Sequence, residues 1–368
     1  RFAWTFATLS PEALAREISG GQRLSGPQKH FVTQVAKQLQ QQSFELLNQL
    51  QKSQVTDLGS TDDCPQSLDF GGVSYTQKKK LGNGAFGAAY LFEGPKGEQI
   101  VIKRILGVYN QEQAFKAMSE DVRSHHEAMG SHNEGNPYVL GLKGVVYSPY
   151  SRDGEGELLA VMEVAGGGDL TKVGDKLRSH LSDGDLSPSV AQKVQRLMIS
   201  QLVEGLRYLQ QDRQMLHRDL KPDNIFITSE GVVKIGDFGL AKEGLNNKEM
   251  AGTPLFMSPE QLVRQSSDEH GDTWAVGLML QGFLTGDYVI PHQPTPRSMQ
   301  DLKDNARAYI KDGKPVYEAG KTQVEVETGS GKQDVTLQNL GGLEQMVNAL
   351  LHPDPTKRPN LEAVLNHH

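Results

Sequence analysis

Two short segments carry side chains of the types that phosphoryl transfer requires. Between His217 and Asn224, Asp219 could accept a proton from a hydroxyl group, and Lys221 follows it by two residues. Thirteen residues beyond Asn224, Asp237 precedes a Phe-Gly pair. Phosphoryl transfer depends on positioning and charge neutralisation more than on covalent chemistry, so a base, a cation and two oxygen ligands suit it. The spacing therefore predicts a phosphoryl-transfer site.

A glycine-rich segment upstream could approach phosphates closely. Gly82, Gly84 and Gly87 lie between two strand patterns, and Lys103 follows in the apolar pattern of the next strand. Glycines without side chains let backbone N–H groups approach a ligand. No helix pattern follows Gly87 directly, which argues against a dinucleotide-binding fold, since there a helix N-terminus faces the pyrophosphate. We expect a lid between strands instead.

Together with residues 252–260 (GTPLFMSPE), these motifs resemble the eukaryotic-type protein kinase family in order and spacing. The resemblance covers residues 73–366 and implies an α+β, bilobal protein-kinase fold. Its small lobe, an antiparallel β-sheet with one main helix, would be 73–164, and its larger, mainly helical lobe 165–366. It also implies transfer of the γ-phosphate of ATP, with Mg²⁺, to protein Ser or Thr hydroxyls, because Lys221 and Thr253 match the Ser/Thr members.

The resemblance assigns roles to individual residues. Catalysis would fall to Asp219, Lys221 and Lys103 with an acidic partner, and Mg²⁺ would be held by Asn224 and Asp237. The implied nucleotide contacts are Leu81, Gly82, Gly84, Phe86, Gly87, Ala89, Val101, Lys103, Met162, Glu163, Ala165, Asp169 and Phe226. Asp169 could equally be the N-cap of a helix that starts at residue 170, and the two roles are compatible.

The acidic partner of Lys103 has three candidates. Glu120 best fits the spacing from Lys103, Glu127 better fits the spacing to residues 136–139, and Asp121 fits the local apolar pattern. Each could also be an exposed charge on the helix. We favour Glu120.

The implied adenine site departs from the family at three positions. Ala89 stands where Val is usual, Val101 where Ala is usual, and Phe226 where Leu is usual. The first two changes offset each other in volume, and volume-conserving exchanges are tolerated in packed sites. We expect a narrower but working adenine site.

The activation loop, residues 240–251, contains no Ser, Thr or Tyr. In many kinases the Arg that precedes the catalytic Asp, here Arg218, binds a phosphate on this loop. Glu243 or Glu249 could serve as a permanent anion, or the loop could simply be solvated and charged. The sequence predicts activity that does not require phosphorylation within 240–251. The resemblance further implies a buried Glu260–Arg358 ion pair and, at Asp272, a brace for the catalytic loop, which is residues 217–224.

Residues outside the resemblance also carry patterns. Residues 1–54 read as a helical N-terminal extension that either packs on the rest of the protein or contacts a partner or regulator, and residues 55–72 read as a linker. A β-hairpin at 322–337, within an insertion near 314–340, is not part of the usual kinase pattern. The apolar stripe of the extension is Phe31, Val35, Leu39, Leu46, Leu47 and Leu50.

Hydrophobic periodicity predicts the remaining elements. Strands are expected at 73–81, 88–93, 99–105, 142–147 and 158–164, and helices at 111–129 and 188–211. The core side of the second helix is predicted to be Val190, Val194, Leu197, Leu202, Leu206 and Leu209.

Composition limits the alternatives. A net charge of −7 argues against nucleic acid as the main partner, because no basic excess is available for phosphates. The single Cys64 excludes an intrachain disulfide and favours a reducing, cytoplasmic setting, and no apolar run is long enough to span a membrane. A catalytically silent kinase-fold scaffold is disfavoured by the complete set of ligands. A small-molecule phosphotransferase is disfavoured by residues 253–260, which resemble a peptide-docking segment.

Overall fold

The computed structural model describes residues 64–84, 87–105, 111–130, 136–148, 157–244, 246–247, 251–264, 267–286, 288, 290, 293–314, 316–317, 323–328, 331–336 and 343–366. The chain divides into two compact units. Unit 1 contains the described residues before position 134 and Leu140–Val164, and unit 2 contains those of Glu134–Val139 and Ala165–His368. The predicted extension 1–54, Phe86 and Glu249 lie outside the described residues.

Unit 1 is an antiparallel sheet of six strands with one helix. The strands run in the order β1-β2-β3-β4-β6-β5, and the helix, α1, matches its prediction at Gln111–Met129. The bounds are β1 Ser67–Phe70, β2 Val73–Gly84, β3 Gly87–Glu93, β4 Gln99–Ile105, β5 Leu142–Ser148 and β6 Glu157–Met162. Their inward side chains, among them Phe92, Ile100, Ile102 and Leu159, are fully buried. This confirms the predicted sheet.

The predicted linker 55–72 is wrong over its last residues, because β1 belongs to the sheet. Leu68 is fully buried, and Cys64 lies in the same core. Gly71 and Gly72, which suggested a linker, both have positive φ and form the two-residue turn between β1 and β2. Such a hairpin turn favours glycine at both positions. The glycines mark a change of strand rather than the end of the domain.

Unit 2 is mainly helical. Its helices are α2 Leu170–Ser182, α3 Pro188–Arg207, α4 Pro259–Arg264, α5 Glu269–Thr285, α6 Met299–Asp312, α7 Leu343–Leu350 and α8 Leu361–Leu365. Helix α5 is buried along almost its whole length, from Gly271 to Thr285. It starts at the N-cap Asp268, whose carboxylate accepts from the His270 N–H at 3.0 Å, and ends at Gly286 with φ 83°. With the sheet of unit 1, these helices confirm the predicted α+β class.

The predicted core side of α3 is wrong in its first half. Leu197 is 58% exposed and Val190 45% exposed, and Val194 is half-buried, whereas Leu202, Leu206 and Leu209 are buried. A neighbouring stripe packs inward instead: Ala191, Gln195, Met198 and Ile199. Both stripes have helical spacing. The buried stripe contains the polar Gln195, and for this reason the more apolar stripe was predicted instead. The α-helix also ends at Arg207, four residues before the predicted end, and a single π turn follows at Tyr208–Asp212.

Unit 2 also contains short strands of two or three residues. Strands β7 Gly168–Asp169, β9 Ile225–Ile227 and β10 Val233–Ile235 form one sheet in the order β10-β9-β7. Strand β8 Met215–Leu216 pairs with β11 Lys242–Glu243, and β12 Asn246–Asn247 pairs with β13 Ser267–Asp268.

The predicted β-hairpin is confirmed. Strand β14, Gln323–Thr328, pairs antiparallel with β15, Gly331–Thr336, and Thr328 lies opposite Gly331. Leu337, predicted to belong to it, lies outside the described residues. Among the described helices, none combines the length and apolar character needed to cross a membrane.

Candidate active site

The loop between β8 and β9 holds Asp219 in an enclosed position. It begins with His217 and Arg218, the latter in the left-handed region at φ 68°, and ends in a 3-10 turn at Pro222–Asn224. Asp219 and Asn224 are each only 5% exposed. A buried carboxylate needs hydrogen-bond donors to remain charged.

Four donors satisfy the carboxylate of Asp219. The backbone N–H and the hydroxyl of Thr253 both donate to Oδ1 at 2.7 Å. Lys221 Nζ donates to Oδ2 at 2.9 Å and also to the Thr253 hydroxyl at 2.8 Å. Asn224 Nδ2 donates to Oδ2 at 3.1 Å and to the Asp219 carbonyl oxygen at 2.8 Å.

These contacts keep Asp219 ionised. Burial opposes its charge, but the hydrogen bonds and charge of Lys221 and the hydrogen bonds of Thr253 outweigh that effect, so the pKa of Asp219 lies below its ordinary value. A fixed, charged carboxylate beside a fixed ammonium group can orient a hydroxyl and accept its proton.

Gly252 allows the close approach of Thr253 to this loop. Its φ is 116°, and a Cβ there would lie 2.2 Å from the carbonyl oxygen of Arg218. Any side chain would displace the backbone and pull Thr253 away from Asp219. The glycine is therefore required by both conformation and space.

Asp272 of α5 holds the start of the catalytic loop. Its Oδ2 accepts from the His217 N–H at 3.3 Å and its Oδ1 from the Arg218 N–H at 3.5 Å. Gln210 Nε2 donates to Oδ2 at 3.4 Å. Burial raises the pKa of Asp272, opposed mainly by His217 and by these hydrogen bonds. The predicted brace is present.

Asp237 follows β10 in a constrained conformation near Asn224. Its φ is 63°, and the N–H of Gly236, just before it, donates to the Asn224 carbonyl oxygen at 2.9 Å. His217 Nε2 donates to the Gly236 carbonyl oxygen at 3.0 Å, and the rings of His217 and the buried Phe238 lie 5.1 Å apart. These contacts hold Gly236, the residue before Asp237, against the catalytic loop, which contains the other predicted metal ligand, Asn224.

The donor set suits Mg²⁺. The amide nitrogen of Asn224 is used by Asp219, so its Oδ1 is the atom that could serve as a ligand, together with the Asp237 carboxylate. Mg²⁺ prefers oxygen ligands and is commonly bound by one or two protein groups plus phosphates. No cluster of three or more His, Cys, Asp or Glu that could hold a metal occurs among the described residues.

The predicted partner of Lys103 is wrong: Asp121, rather than Glu120, pairs with it. Lys103 Nζ lies 2.9 Å from Asp121 Oδ2 and 3.1 Å from Oδ1. Glu120 is exposed, and Glu127 lies 3.9 Å from Arg123 Nε. Asp121 lies on the buried side of α1 with Val122 and His125. One residue of helix turns the side chain by about 100°, so spacing from Lys103 alone could not identify the acid.

Asp121, rather than Glu120, is therefore expected to be the acid on which activity depends. For the ATP-dependent transfer that the resemblance implies, Asp121→Asn should lower kcat/KM for ATP by about thirtyfold, because a charge-assisted hydrogen bond to Lys103 is lost in a partly buried site. The exposed Glu120→Gln is the matched control and should stay within about twofold of the wild type. Steady-state kinetics with varied ATP measures both. A loss confined to Glu120→Gln would contradict the assignment.

The other predicted nucleotide contacts of unit 1 lie on β2, β3, β4 and at the end of β6. Strand register places Ala89, Val101, Lys103 and Met162 on one face of the sheet. Gly82 and Gly84 lie in β2, and Gly87 is the first residue of β3. Leu81 is 43% exposed. Glu163 is held within unit 1, where its carboxylate accepts from the Gly141 N–H at 2.6 Å.

In unit 2, Asp169 caps a helix, as one of its two interpretations predicted. Its Oδ1 accepts from the Lys172 N–H at 2.9 Å at the start of α2, and Oδ2 pairs with Lys172 Nζ. Phe226 lies opposite Asp169 in the sheet and is half-buried. Ala165 is also half-buried, before β7.

The predicted Glu260–Arg358 pair forms inside unit 2. Arg358 Nη1 and Nη2 donate to the two Glu260 oxygens at 2.6 and 2.8 Å, and both side chains are buried. Arg358 Nη1 also donates to the His270 carbonyl oxygen at 3.0 Å, and the guanidinium lies 5.0 Å from the Trp274 ring. Burial opposes the charge of Glu260, but Arg358 outweighs it, so the pKa of Glu260 is lowered.

Sequence comparison gives one family. The model described as "Protein kinase domain" matches residues 75–368.

Curated relatives show the same similarity at modest identity. A probable serine/threonine-protein kinase of Dictyostelium discoideum is 26% identical over 298 residues, which cover 80% of this chain and 50% of that protein. The ovarian-specific serine/threonine-protein kinase Lok of Drosophila melanogaster is 28% identical over 306 residues, covering 79% of this chain and 56% of that protein. The chain thus spans about half the length of these relatives.

Proposed function

Because this chain belongs to the protein kinase family, we propose that it transfers the γ-phosphate of ATP to Ser or Thr hydroxyls of protein substrates, with Mg²⁺ as the metal. The observation that carries this proposal is the Asp219–Lys221–Thr253 arrangement, in which a charged carboxylate, an ammonium group and a hydroxyl are mutually hydrogen-bonded. The two relatives described above are also named serine/threonine-protein kinases.

Each residue has a distinct task in this reaction. Asp219 would orient the acceptor hydroxyl and take its proton, and Lys221 would neutralise charge on the transferred group. Asn224 Oδ1 and Asp237 would hold Mg²⁺, which supplies charge neutralisation of the phosphates when bound. Lys103, oriented by Asp121, would hold phosphate oxygens beneath the glycine-rich segment.

The activation segment, which is the activation loop together with Gly252 and Thr253, supports the further proposal that phosphorylation within 240–251 is not required. Main-chain pairing holds this segment at two places: β11 pairs with β8, and β12 pairs with β13. The Gly244 N–H donates to the Gln214 carbonyl oxygen at 2.6 Å between them. At its end, Gly252 and Thr253 contact Arg218 and Asp219.

Strand β13 leads directly into α5, the helix that carries Asp272. The β12–β13 ladder therefore connects the activation segment to the element that also holds the catalytic loop. In other kinases a phosphate bound by Arg supplies such a connection. Glu243, a candidate for a permanent anion, is exposed, so the main-chain ladders support the proposal more directly than that carboxylate does.

One experiment tests the reaction and its independence of loop phosphorylation. The purified chain is treated with a broad-specificity phosphatase, the phosphatase is removed, and the chain is incubated with labelled ATP, Mg²⁺ and a mixture of protein acceptors. We expect labelled phosphoserine or phosphothreonine at the rate of the untreated enzyme. Label only on small-molecule acceptors, or none at all, would overturn the proposed reaction. A loss of rate traced by mass spectrometry to a phosphate within 240–251 would overturn the second part.

A further inference from the structure

The π turn after α3 presents a glutamine to the interior. In Tyr208–Asp212 the chain makes a wider turn than an α-helix, closed by a hydrogen bond from the Arg213 N–H to the Tyr208 carbonyl oxygen at 3.1 Å. Gln214, in the left-handed region at φ 51°, donates from its side-chain amide to the carbonyl oxygens of Gln210 and Gln211 at 3.0 and 3.1 Å. π turns inside helices occur frequently at functional sites.

The side chains of this turn differ sharply in burial. Gln210 is 8% exposed, whereas its neighbour Gln211 is exposed. Burying an amide is costly unless it finds hydrogen-bond partners. The Gln210 amide finds Asp272, a residue 62 positions away in the chain.

The side chain of Gln210 and the backbone of the catalytic loop donate hydrogen bonds to the same carboxylate, that of Asp272. Asp272 Oδ2 accepts from Gln210 Nε2 at 3.4 Å and from the His217 N–H at 3.3 Å, and Oδ1 accepts from the Arg218 N–H at 3.5 Å. Gln210 therefore approaches Asp272 from the π turn, while the two backbone N–H groups approach it from the catalytic loop. Removing the amide would free the carboxylate to rotate and weaken both remaining bonds.

We propose that Gln210, presented by the π turn, is a positioning residue that fixes Asp272 in the orientation that holds His217 and Arg218, and through them Asp219. This proposal rests on the kinase function proposed above. Gln210 acts through Asp272 and touches no substrate. The Gln210 amide does not titrate, so it remains a hydrogen-bond donor at every physiological pH.

Electrostatics around Asp272 agree with this role. Burial raises the pKa of Asp272, while His217 and the hydrogen bonds, that of Gln210 among them, oppose the rise. The charged and titratable groups around it are His217, Arg218 and Asp219 from the catalytic loop, and Gln210 and Gln261 are neutral. Losing one donor would make the charged form of Asp272 harder to keep.

The first test removes the amide at nearly constant volume. Gln210→Met should lower kcat about tenfold with KM for ATP unchanged, because a donor to a buried charge is lost while the nucleotide-binding residues are untouched. Gln211→Met, the same change at the adjacent exposed position, is the control and should match the wild type. Deuterium exchange of the His217 and Arg218 N–H groups should accelerate about tenfold in Gln210→Met only.

The second test uses pH, which a role in filling space would not affect. Gln210→Glu places a carboxylate against Asp272, and two such groups share a proton only as the pH falls. Its kcat relative to the wild type should therefore rise as the pH is lowered from about 8 to about 6. A ratio that is independent of pH would overturn the proposal.

The readouts separate this proposal from the kinase function. If the wild-type chain transfers no phosphate, the proposed function fails, yet exchange at His217 and Arg218 still decides the role of Gln210. Unchanged exchange and unchanged kcat in Gln210→Met would overturn it. Should that variant not fold, Gln214→Met decides in its place, because it removes the exposed amide that donates to the Gln210 and Gln211 carbonyl oxygens within the π turn. Faster exchange at the same two N–H groups would support the proposal, and wild-type exchange would overturn it.

Discussion

Asp219→Asn is expected to lower kcat for phosphorylation of a protein acceptor by about a thousandfold. The substitution removes the proton acceptor and also places an amide where Thr253 and Lys221 both donate to the carboxylate. One of those donors would lose its partner, so the local geometry changes together with the chemistry. Single-turnover measurements with saturating ATP would measure the chemical step directly.

The control for this variant lies four residues away. Asp223 is an exposed carboxylate in the same loop, and Asp223→Asn makes the same chemical change without disturbing the hydrogen bonds of Asp219. Thermal unfolding of both variants would show that the fold persists. A residual kcat in Asp219→Asn within about tenfold of the wild type would contradict the assigned base.

The pH dependence of the wild type follows from the same contacts. Because the pKa of Asp219 lies below its ordinary value, the carboxylate stays ionised through neutral and mildly acidic pH. Its protonation can reduce kcat only below about pH 4. A fall in kcat at higher pH must arise from another group.

Arg358→Ala is expected to lower the free energy of unfolding by about 3–5 kcal/mol. The change leaves the buried Glu260 carboxylate without the two hydrogen bonds and the charge that compensate for its burial. It also exposes one side of Trp274 to the space left by the guanidinium. Urea unfolding followed by Trp fluorescence would measure the loss.

The matched control is an exposed ion pair in the same unit. Arg307 Nη1 lies 2.7 Å from Asp304 Oδ1, but both side chains are more than half exposed. Arg307→Ala should leave stability close to that of the wild type, because exposed pairs contribute little. Equal losses in the two variants would show that the burial of Glu260 is not the cause.

The direction in which stability changes with pH distinguishes a Glu260 paired with Arg358 from a Glu260 without that partner. In the wild type its pKa is lowered, so its contribution is present above the ordinary Glu pKa and is lost as the pH falls through the folded-state value. Without Arg358, burial alone would raise that pKa, and stability would be lost as the pH rises instead. The stability difference between wild type and variant should therefore grow from about pH 4 to about pH 7.

Local motifs were sufficient to predict the family, the sheet of unit 1 and the Glu260–Arg358 ion pair. These features depend on residues close together in the sequence or on a spacing shared by the whole family. The Lys103 partner was not predictable in this way, because residues 106–110 separate β4 from α1 and spacing across them does not define which side of the helix faces Lys103. The structure assigns that place to Asp121.

Other features depend on pairings between distant residues. In the sequence, Gly71 and Gly72 resemble part of a linker. The burial of Leu68 in the sheet shows that they form a turn between two strands. Helix α3 offered two apolar stripes, and only packing decides between them. The hydrogen bond of Gln210 to Asp272 and the pairing of β12 with β13 each join residues that are far apart in the sequence. Neither contact therefore leaves a local sequence pattern from which it could be predicted.

The pairing of β12 with β13 also affects how this segment can vary during evolution. Main-chain hydrogen bonds are largely independent of side-chain identity, except that Pro cannot donate one. Asn246 and Asn247 could therefore be exchanged for many residues without loss of the ladder, whereas a phosphorylation site depends on one hydroxyl and on the enzyme that recognises it. Under our proposal, selection on this part of the segment would preserve a backbone path rather than a sequence.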